Sequence, residues 1–545
     1  MIEELRGKHP QRDDWSKVAE EKEAPGERAE LSFNEEEVWK ALKGFPRGTA
    51  PGGTGGRAQH WIDALEILPV DARKRILGPL ASLCTRLANG KVPGEMAQWM
   101  AGAPVFPLKK KGGGVRSIAV GEVLRRLVGR LLVNKPEIKE KTSELFEKIG
   151  QLGVGVKGGA EIAVQLMRTW LEKKSKKGWG VLKIDFENAY NSLDRSAIEQ
   201  VLSEEFPELV SWFRYCYGVP AVLSCQGKKL PFESRTGIQQ GDPLGPLFFA
   251  CGILLLCRRT MTELKDSLAL WYLDDGSVAG PGEELVKAWN IVQEESRKIG
   301  LRVNTRKCEI WTAEDSSAEW LKAFPQEVVR LDGDGFELLG APIGSSRFCR
   351  DFAQKRVQRV KEVIARLPEL DDPQMELILL RSCIGFPKFG FTLRSAPPED
   401  IDEAAKAFDA MIEKTSEDRF GIQMGKEAAL QWHLPVRMGG VGIPRAQDVS
   451  TPAYLGNVLL ALPFLRKMIE EKLTVEEVPG ASFAWETLRS VVMEKENELP
   501  DECESHLKSL KIEISPETLE KLSRGPSALE DLLVDPRQES ATVVG

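Results

Sequence analysis

Short apolar runs, each closed by glycine or acidic turns, occupy the middle of this chain, while helical periodicity occupies its flanks. Ala103-Pro104-Val105-Phe106-Pro107-Leu108 and Val115-Arg116-Ser117-Ile118-Ala119-Val120 read as two strands joined by a basic glycine turn over residues 109–114. Val181-Leu182-Lys183-Ile184-Asp185-Phe186 reads as a short buried strand ending in an acid. Leu223-Ser224-Cys225 and Leu230-Pro231-Phe232 form a small hairpin pattern. Leu268-Ala269-Leu270-Trp271-Tyr272-Leu273, then Asp274-Asp275-Gly276, then Ser277-Val278-Ala279, reads as strand, tight turn, strand. Leu301-Arg302-Val303 and residues 307–311 predict two more strands, and residues 336–343 a tight hairpin.

Helices are expected over residues 34–42, with Asn34 or Ser32 as cap, and over 60–68, 72–88, 121–132, 161–173, 195–205, 246–257 and 283–299. From about residue 348 the pattern is mostly helical. Residues 1 to about 30 are charged and poor in apolar side chains, which predicts a frayed segment. A mixed sheet with helices around it is an α+β arrangement, extended by helices at both ends.

Composition alters this picture in one respect. The hydrophobic share of 42% and charged share of 29% are those of a soluble globular protein. The formal net charge of −7 argues against a nucleic-acid partner, but the average conceals an asymmetry. Residues 101–183 carry 18 basic against 7 acidic side chains, whereas residues 1–40 carry 7 against 12 and residues 494–545 carry 6 against 13. A basic segment of that size can track a phosphate backbone, with binding that weakens steeply in salt.

Other classes recede. The nine cysteines show no C-x-x-C spacing, so no zinc finger or knuckle is expected, and they read as reduced intracellular thiols. The longest apolar run, residues 247–257, is too short to cross a bilayer. The glycine-proline loop at 46–56 lacks the Gly-Lys-Ser/Thr of a phosphate-binding loop. The expectation is a soluble intracellular protein without membrane contact, for which a nuclear location is open.

Candidate chemistry rests on acids. Asp185 ends one predicted strand, and Asp274 and Asp275 sit on the turn of another. If those strands are neighbours, three carboxylates converge, and hard oxygens of this kind suit Mg²⁺, with Mn²⁺ as a substitute. Two such ions about 4 Å apart can clamp the attacking and leaving oxygens of a phosphoryl transfer without a histidine base.

These residues resemble a known family. Val181 to Tyr190 looks like the first catalytic motif of reverse transcriptases. Gly237-Ile238-Gln239-Gln240-Gly241-Asp242-Pro243-Leu244 is similar to their glutamine-glycine motif, and Tyr272-Leu273-Asp274-Asp275 to their metal box. Gly300 to Lys307 resembles the next motif, and Glu337-Leu338-Leu339-Gly340-Ala341-Pro342-Ile343-Gly344 the primer-grip hairpin. The subtype resembles non-LTR retrotransposon enzymes and their stand-alone cellular relatives. The glycine-rich block at residues 50–56 and Leu434-Pro435-Val436-Arg437-Met438-Gly439-Gly440-Val441-Gly442 carry that likeness.

The resemblance implies a right-hand polymerase. Residues 1–30 would be a flexible acidic terminus, 31–100 a helical extension and 101–180 the fingers. The palm would span 181–345, the thumb 346–450 and an acidic helical region 451–545. It implies extension of a primer 3′-OH with dNTPs on an RNA template, with two Mg²⁺ ions held by Asp185, Asp274, Asp275 and the carbonyl of Phe186. Tyr190 would be a steric gate against the ribose 2′-OH. Lys110 and Arg116 would reach the triphosphate, with Lys109 and Lys111 open as alternatives to Lys110. Gln240 and Gly241 would pack beside the nucleotide, and Lys307 would protonate pyrophosphate. Leu339 and Gly340 would grip the primer, while Lys109, Lys111, Arg125 and Arg126 would hold the template.

The chain departs from complete elements of this kind, for it has no evident nuclease, zinc knuckle or ribonuclease H acids. Two alternatives are an RNA-dependent RNA polymerase and a domesticated, non-catalytic nucleic-acid-binding protein. Leu273, where the RNA polymerase box has glycine, and Tyr190 disfavour the first. Intact acids disfavour the second. Protein partners are not readable from the sequence.

Overall fold

Asn34 opens a helix, Glu35–Lys43, through a reciprocal capping box. Its side chain accepts the Glu37 N–H at 2.9 Å, and the Glu37 carboxylate accepts the Asn34 N–H at 2.9 Å. The computed structural model describes residues 1–12, 30–109, 113–312 and 318–498, with side chains through residue 490. It divides into two compact units. The first comprises Met1–Lys157, Gly180–Ile310 and Ser317–Arg330, and the second Gly158–Trp179, Trp311–Ser316 and Leu331–Gly545.

The strands, in chain order, are β1 (Ala103–Lys109), β2 (Val115–Ala119), β3 (Trp179–Ile184), β4 (Ala221–Cys225), β5 (Lys228–Ser234), β6 (Leu268–Tyr272), β7 (Asp275–Pro281), β8 (Glu309–Thr312), β9 (Val329–Leu331), β10 (Gly335–Leu338) and β11 (Ala341–Gly344). One sheet has the order β2-β1-β4-β5. In it β1 and β2 are antiparallel, with Val105 opposite Ala119, and β4 joins β1 in parallel. A second sheet has the order β6-β7-β3-β8-β9. This order sets the two predicted acidic strand ends side by side. Helices pack around these strands through a continuous core that includes Leu127, Leu182, Ile198, Phe213, Phe248 and Trp271.

The second unit is mainly helical. Helices Ser346–Ile364, Phe386–Ser395, Pro398–Phe420 and Ala446–Met468 bury Val357, Phe389, Leu393, Ala404, Phe408 and Ala446 together. The Asp409 carboxylate accepts the N–H groups of Ala446 and Gln447 at 2.7 and 3.1 Å, so one helix caps the start of another. The unit also contains helix Gly159–Lys174 and the β10–β11 hairpin.

Several local expectations change. Leu301-Arg302-Val303 is not a strand. The Leu301 N–H returns to the Ser296 carbonyl at 2.8 Å, closing the helix before it, and only Val303 forms a bridge, to Phe186. The apolar run at 246–257 splits at Ile253 into helices Gly245–Gly252 and Leu254–Glu263. Two further helices, Pro136–Glu147 and Pro207–Tyr217, each begin with proline at the first position, where the missing N–H costs nothing.

Residues 1–12 are not frayed. Ile2–Gly7 is a short helix whose Leu5 is fully buried among Val105, Val115, Leu223 and Phe232. His9 Nε2 lies 2.8 Å from Ser117 Oγ, and its ring stacks on Phe232. Arg12 pairs with Asp194 at 2.9 Å. This segment therefore ties the β2-β1-β4-β5 sheet to the chain that follows β3. Residues 13–29 of the predicted flexible terminus lie outside the described residues.

Candidate active site

Asp185 follows the last residue of β3, Asp274 lies in the β6–β7 turn, and Asp275 is the first residue of β7. With β3 and β7 adjacent, the three acids share one end of the sheet. Asp185 is fixed by the loop after the Leu301 turn. Asn304 donates its side-chain amide to Asp185 Oδ2 at 2.8 Å and its backbone N–H to the Asp185 carbonyl at 2.8 Å. Phe186 turns inward and stacks on Trp271. Gly276 is required beneath the turn, because a Cβ there would lie 2.5 Å from the Trp271 ring.

The cluster is electrostatically crowded. Desolvation, then the charges of Asp274 and Asp185, push the Asp275 carboxyl up to about 6, against the opposing pull of Lys183 and Lys307. By surface area Asp275 is exposed, so like-charge crowding is the part of that shift with direct chemical meaning. Lys183 is already paired with Glu309. Among the described residues no three acidic, histidine or thiol groups are gathered tightly enough to form a metal cage by themselves. An all-carboxylate set at a strand end nevertheless fits Mg²⁺, which keeps several waters and takes further oxygens from substrate phosphates.

Tyr190 sits on the turn after β3. Its ring stacks face to face on Phe249 with centroids 4.7 Å apart, and burial followed by the charge of Asp274 raises its phenol above the usual range. The Ile238 N–H donates to the Tyr190 carbonyl at 2.7 Å. Gly237 has φ of +63°, and a Cβ there would lie 2.2 Å from the same carbonyl oxygen. The glutamine-glycine loop and the Tyr190 turn are thus joined backbone to backbone. Gln240 and Gly241 are half-buried on that loop, and Gly241 passes so close to Ala119 that a Cβ would fall 2.3 Å from its carbonyl.

Comparison with known proteins matches the middle of the chain to one family. Residues 108–343 match the family described as reverse transcriptase (RNA-dependent DNA polymerase). This chain contains a reverse transcriptase domain. The retrotransposable element SLACS 132 kDa protein of Trypanosoma brucei gambiense is 26% identical over 439 residues, covering 78% of this chain and 34% of that protein. The chain therefore spans about a third of that relative's length. Among solved structures, telomerase from Candida albicans, in complex with a fragment of telomeric RNA, matches with a TM-score of 0.38 at 11% identity over 70% of this chain and 66% of that one. Apo telomerase from Candida tropicalis matches with a TM-score of 0.38 at 13% identity over 71% and 70%. The sheet that bears the three acids lies wholly within the matched residues.

Within the reverse transcriptase domain the basic residues divide. Lys109 and Arg116 are exposed at the turn end of the β1–β2 hairpin, and Lys307 is exposed within electrostatic reach of Asp275. Lys110 and Lys111 lie outside the described residues. Arg125 and Arg126 are placed otherwise than expected. Arg125 is 1% exposed, pairs with Asp242 at 2.9 Å and donates to the Ala101 carbonyl at 3.0 Å. Arg126 is 4% exposed and donates to the Ala50 carbonyl at 2.9 Å. Helical periodicity puts both on the inner face of Val123–Val133, so they hold the fold and offer no surface to a template.

Two groups that the sequence reading passed over support the site. Tyr217 donates its hydroxyl to Asp242 Oδ2 at 2.7 Å and is flanked by the guanidinium groups of Arg125 and Arg195. Arg195, fully buried, donates to the Gly237 carbonyl at 3.0 Å and the Tyr217 carbonyl at 2.9 Å. The glutamine-glycine loop is thereby held at both ends, at Gly237 and Asp242, by buried charge. In the second unit Leu339 and Gly340, with φ of +48° and +90°, form the two-residue turn of β10–β11. Arg356 donates to the Gly340 carbonyl at 3.1 Å. Among the described residues no helix is long and apolar enough to cross a membrane.

Proposed function

We propose that the chain extends a primer 3′-OH with deoxynucleotides on an RNA template, and the observation that carries this is the shared sheet end of Asp185, Asp274 and Asp275. Those carboxylates and the Phe186 carbonyl would hold two Mg²⁺ ions, with Mn²⁺ as a substitute. When bound, these ions activate the hydroxyl and neutralise charge on pyrophosphate. Asn304 keeps Asp185 oriented, since its amide occupies one carboxylate oxygen and leaves the other for the reaction centre. Tyr190, braced by Phe249 and near Asp274, would stand where a ribose 2′-OH would collide. Gln240 and Gly241 would line the nucleotide, with Gly241 kept narrow by the Ala119 backbone.

Lys110 and Arg116 would reach the triphosphate, with Lys109 and Lys111 as alternatives to Lys110, a guanidinium suiting bidentate contact. Exposed Lys307 would donate a proton to departing pyrophosphate. Leu339 and Gly340 would grip the primer. A template hold is carried on this reading by exposed lysines of the basic segment, with Arg125 and Arg126 excluded by burial. The test is primer extension on an RNA template with Mg²⁺, run in parallel with dNTPs and rNTPs. Wild-type protein should extend with dNTPs, and Asp274→Asn should abolish extension. Extension that survives in the variant overturns the metal assignment, and a preference for rNTPs turns the reading toward an RNA polymerase.

A further inference from the structure

Leu273, between Tyr272 and the two aspartates, has φ of +55°, a left-handed conformation that side-chain-bearing residues rarely adopt. In a turn that must aim two carboxylates, something has to hold it there. One buried side chain does so. Gln151, 0% exposed, accepts the Leu273 N–H on its Oε1 at 2.8 Å and donates Nε2 to the Leu273 carbonyl at 3.2 Å. A single amide thus satisfies both backbone groups of the strained residue. The same Oε1 accepts the Gly153 N–H at 3.0 Å, which fixes the amide itself.

The backbone around Gln151 is docked on β6. The Trp271 N–H donates to the Gly150 carbonyl at 2.8 Å, and the Leu152 N–H to the Trp271 carbonyl at 2.7 Å. The approach is close enough to require glycine on both sides. A Cβ on Gly150 would lie 2.6 Å from the Ala269 carbonyl, and one on Gly153 would lie 2.6 Å from the Leu273 nitrogen. Gly150-Gln151-Leu152-Gly153 is therefore built as a brace for the Asp274–Asp275 turn.

We propose that Gln151 is a positioning residue for the metal-binding turn, acting on Asp274 and Asp275 through the Leu273 backbone. Resting on the proposed polymerase reading, this assigns to a residue outside the acidic motifs a role in cation affinity. Without the amide, Leu273 loses its reason to stay left-handed, and the turn relaxes to conformations that spread the two carboxylates. Glycine at 273 holds positive φ at no steric cost, so it should offset the loss.

The experiment measures Mn²⁺ binding directly, by electron paramagnetic resonance titration of free Mn²⁺, alongside primer extension on the full chain. Gln151→Met, of similar size and without hydrogen bonds, should weaken Mn²⁺ binding by about tenfold and lower kcat comparably. The KM for primer–template should stay near that of wild type, while the thermal midpoint should fall by several degrees, because buried backbone groups lose their partner. Leu273→Gly in the Gln151→Met background should recover part of both losses. Should Gln151→Met not fold, Gln151→Asn, which keeps a neutral amide but is one methylene shorter and cannot serve both Leu273 groups at once, reads the same quantities. Wild-type Mn²⁺ affinity and kcat in a folded Gln151 variant, or no recovery on adding Leu273→Gly, overturns the proposal. If wild type and Asp274→Asn bind Mn²⁺ alike and neither extends primers, the polymerase reading itself fails.

Discussion

Lowering the pH from 7 to 5 should loosen residues 1–12 and, with them, the turn that carries Tyr190. His9 is 4% exposed, stacked on Phe232 and bonded to Ser117. Burial, then the positive charge of Arg195, lower its pKa from 6.5 to about 4. The docked segment therefore binds a proton less readily than the released one. Docking is at full strength above pH 6.5, declines as pH falls toward 4 and is constant below that. One pKa unit corresponds to about 1.4 kcal/mol, so the fall from pH 7 to 5 should cost about 1.8 kcal/mol, or about twentyfold in the released fraction.

The effect should reach the site, because the Asn188 side chain donates to the Lys8 carbonyl at 2.8 Å. Asn188 lies between Asp185 and Tyr190 and has φ of +52°, so the Lys8 carbonyl helps to hold another strained turn. Hydrogen exchange, corrected for its intrinsic pH dependence, should show faster opening at pH 5 in peptides covering residues 1–12 and 185–191. His9→Phe keeps the ring but cannot titrate, and it should flatten that pH response. An N-terminal peptide equally protected at both pH values, or the same response in His9→Phe, refutes the argument.

Two further outcomes follow from buried and half-buried groups. Arg125→Met strands the Asp242 carboxylate in the interior and should cost about 3–5 kcal/mol, read as a lowered thermal midpoint; an unchanged midpoint would show that the pair does not hold the glutamine-glycine loop. Tyr190→Ala should raise ribonucleotide incorporation relative to deoxynucleotide by about tenfold or more, measured in single-nucleotide extension, and an unchanged ratio would remove Tyr190 from sugar selection.

The groups that would do the chemistry were legible in the sequence because they sit on short local patterns. A strand closing on Asp185 and a hairpin turning at Asp274 and Asp275 are each set by a few neighbouring residues, and the sheet order then makes them adjacent. Arg125 and Arg126 were misplaced for a definite reason. Charge on a helix predicts solvent, whereas the buried Asp242, 117 residues away, offsets the burial of the Arg125 guanidinium and the distant Ala50 carbonyl accepts from Arg126. The first twelve residues depart from expectation likewise, since a charged, apolar-poor terminus predicts fraying, while Leu5 and His9 find a sheet about a hundred residues distant.

Gln151 shows the same limit from the other side. Its sequence neighbours announce only a glycine-rich turn, because its partner is a backbone whose strain appears only once Leu273 is folded. A carboxylate is recognisable by its own chemistry, whereas a positioning amide is defined by what it holds. Gly150 and Gly153 were the available signal, since paired glycines flanking a polar residue mark a close backbone approach. What they could not name is the strand approached. That strand is β6, which leads straight into the turn of the two aspartates, so the precision of the acidic turn is set from residue 151 as well as from residues 272–275.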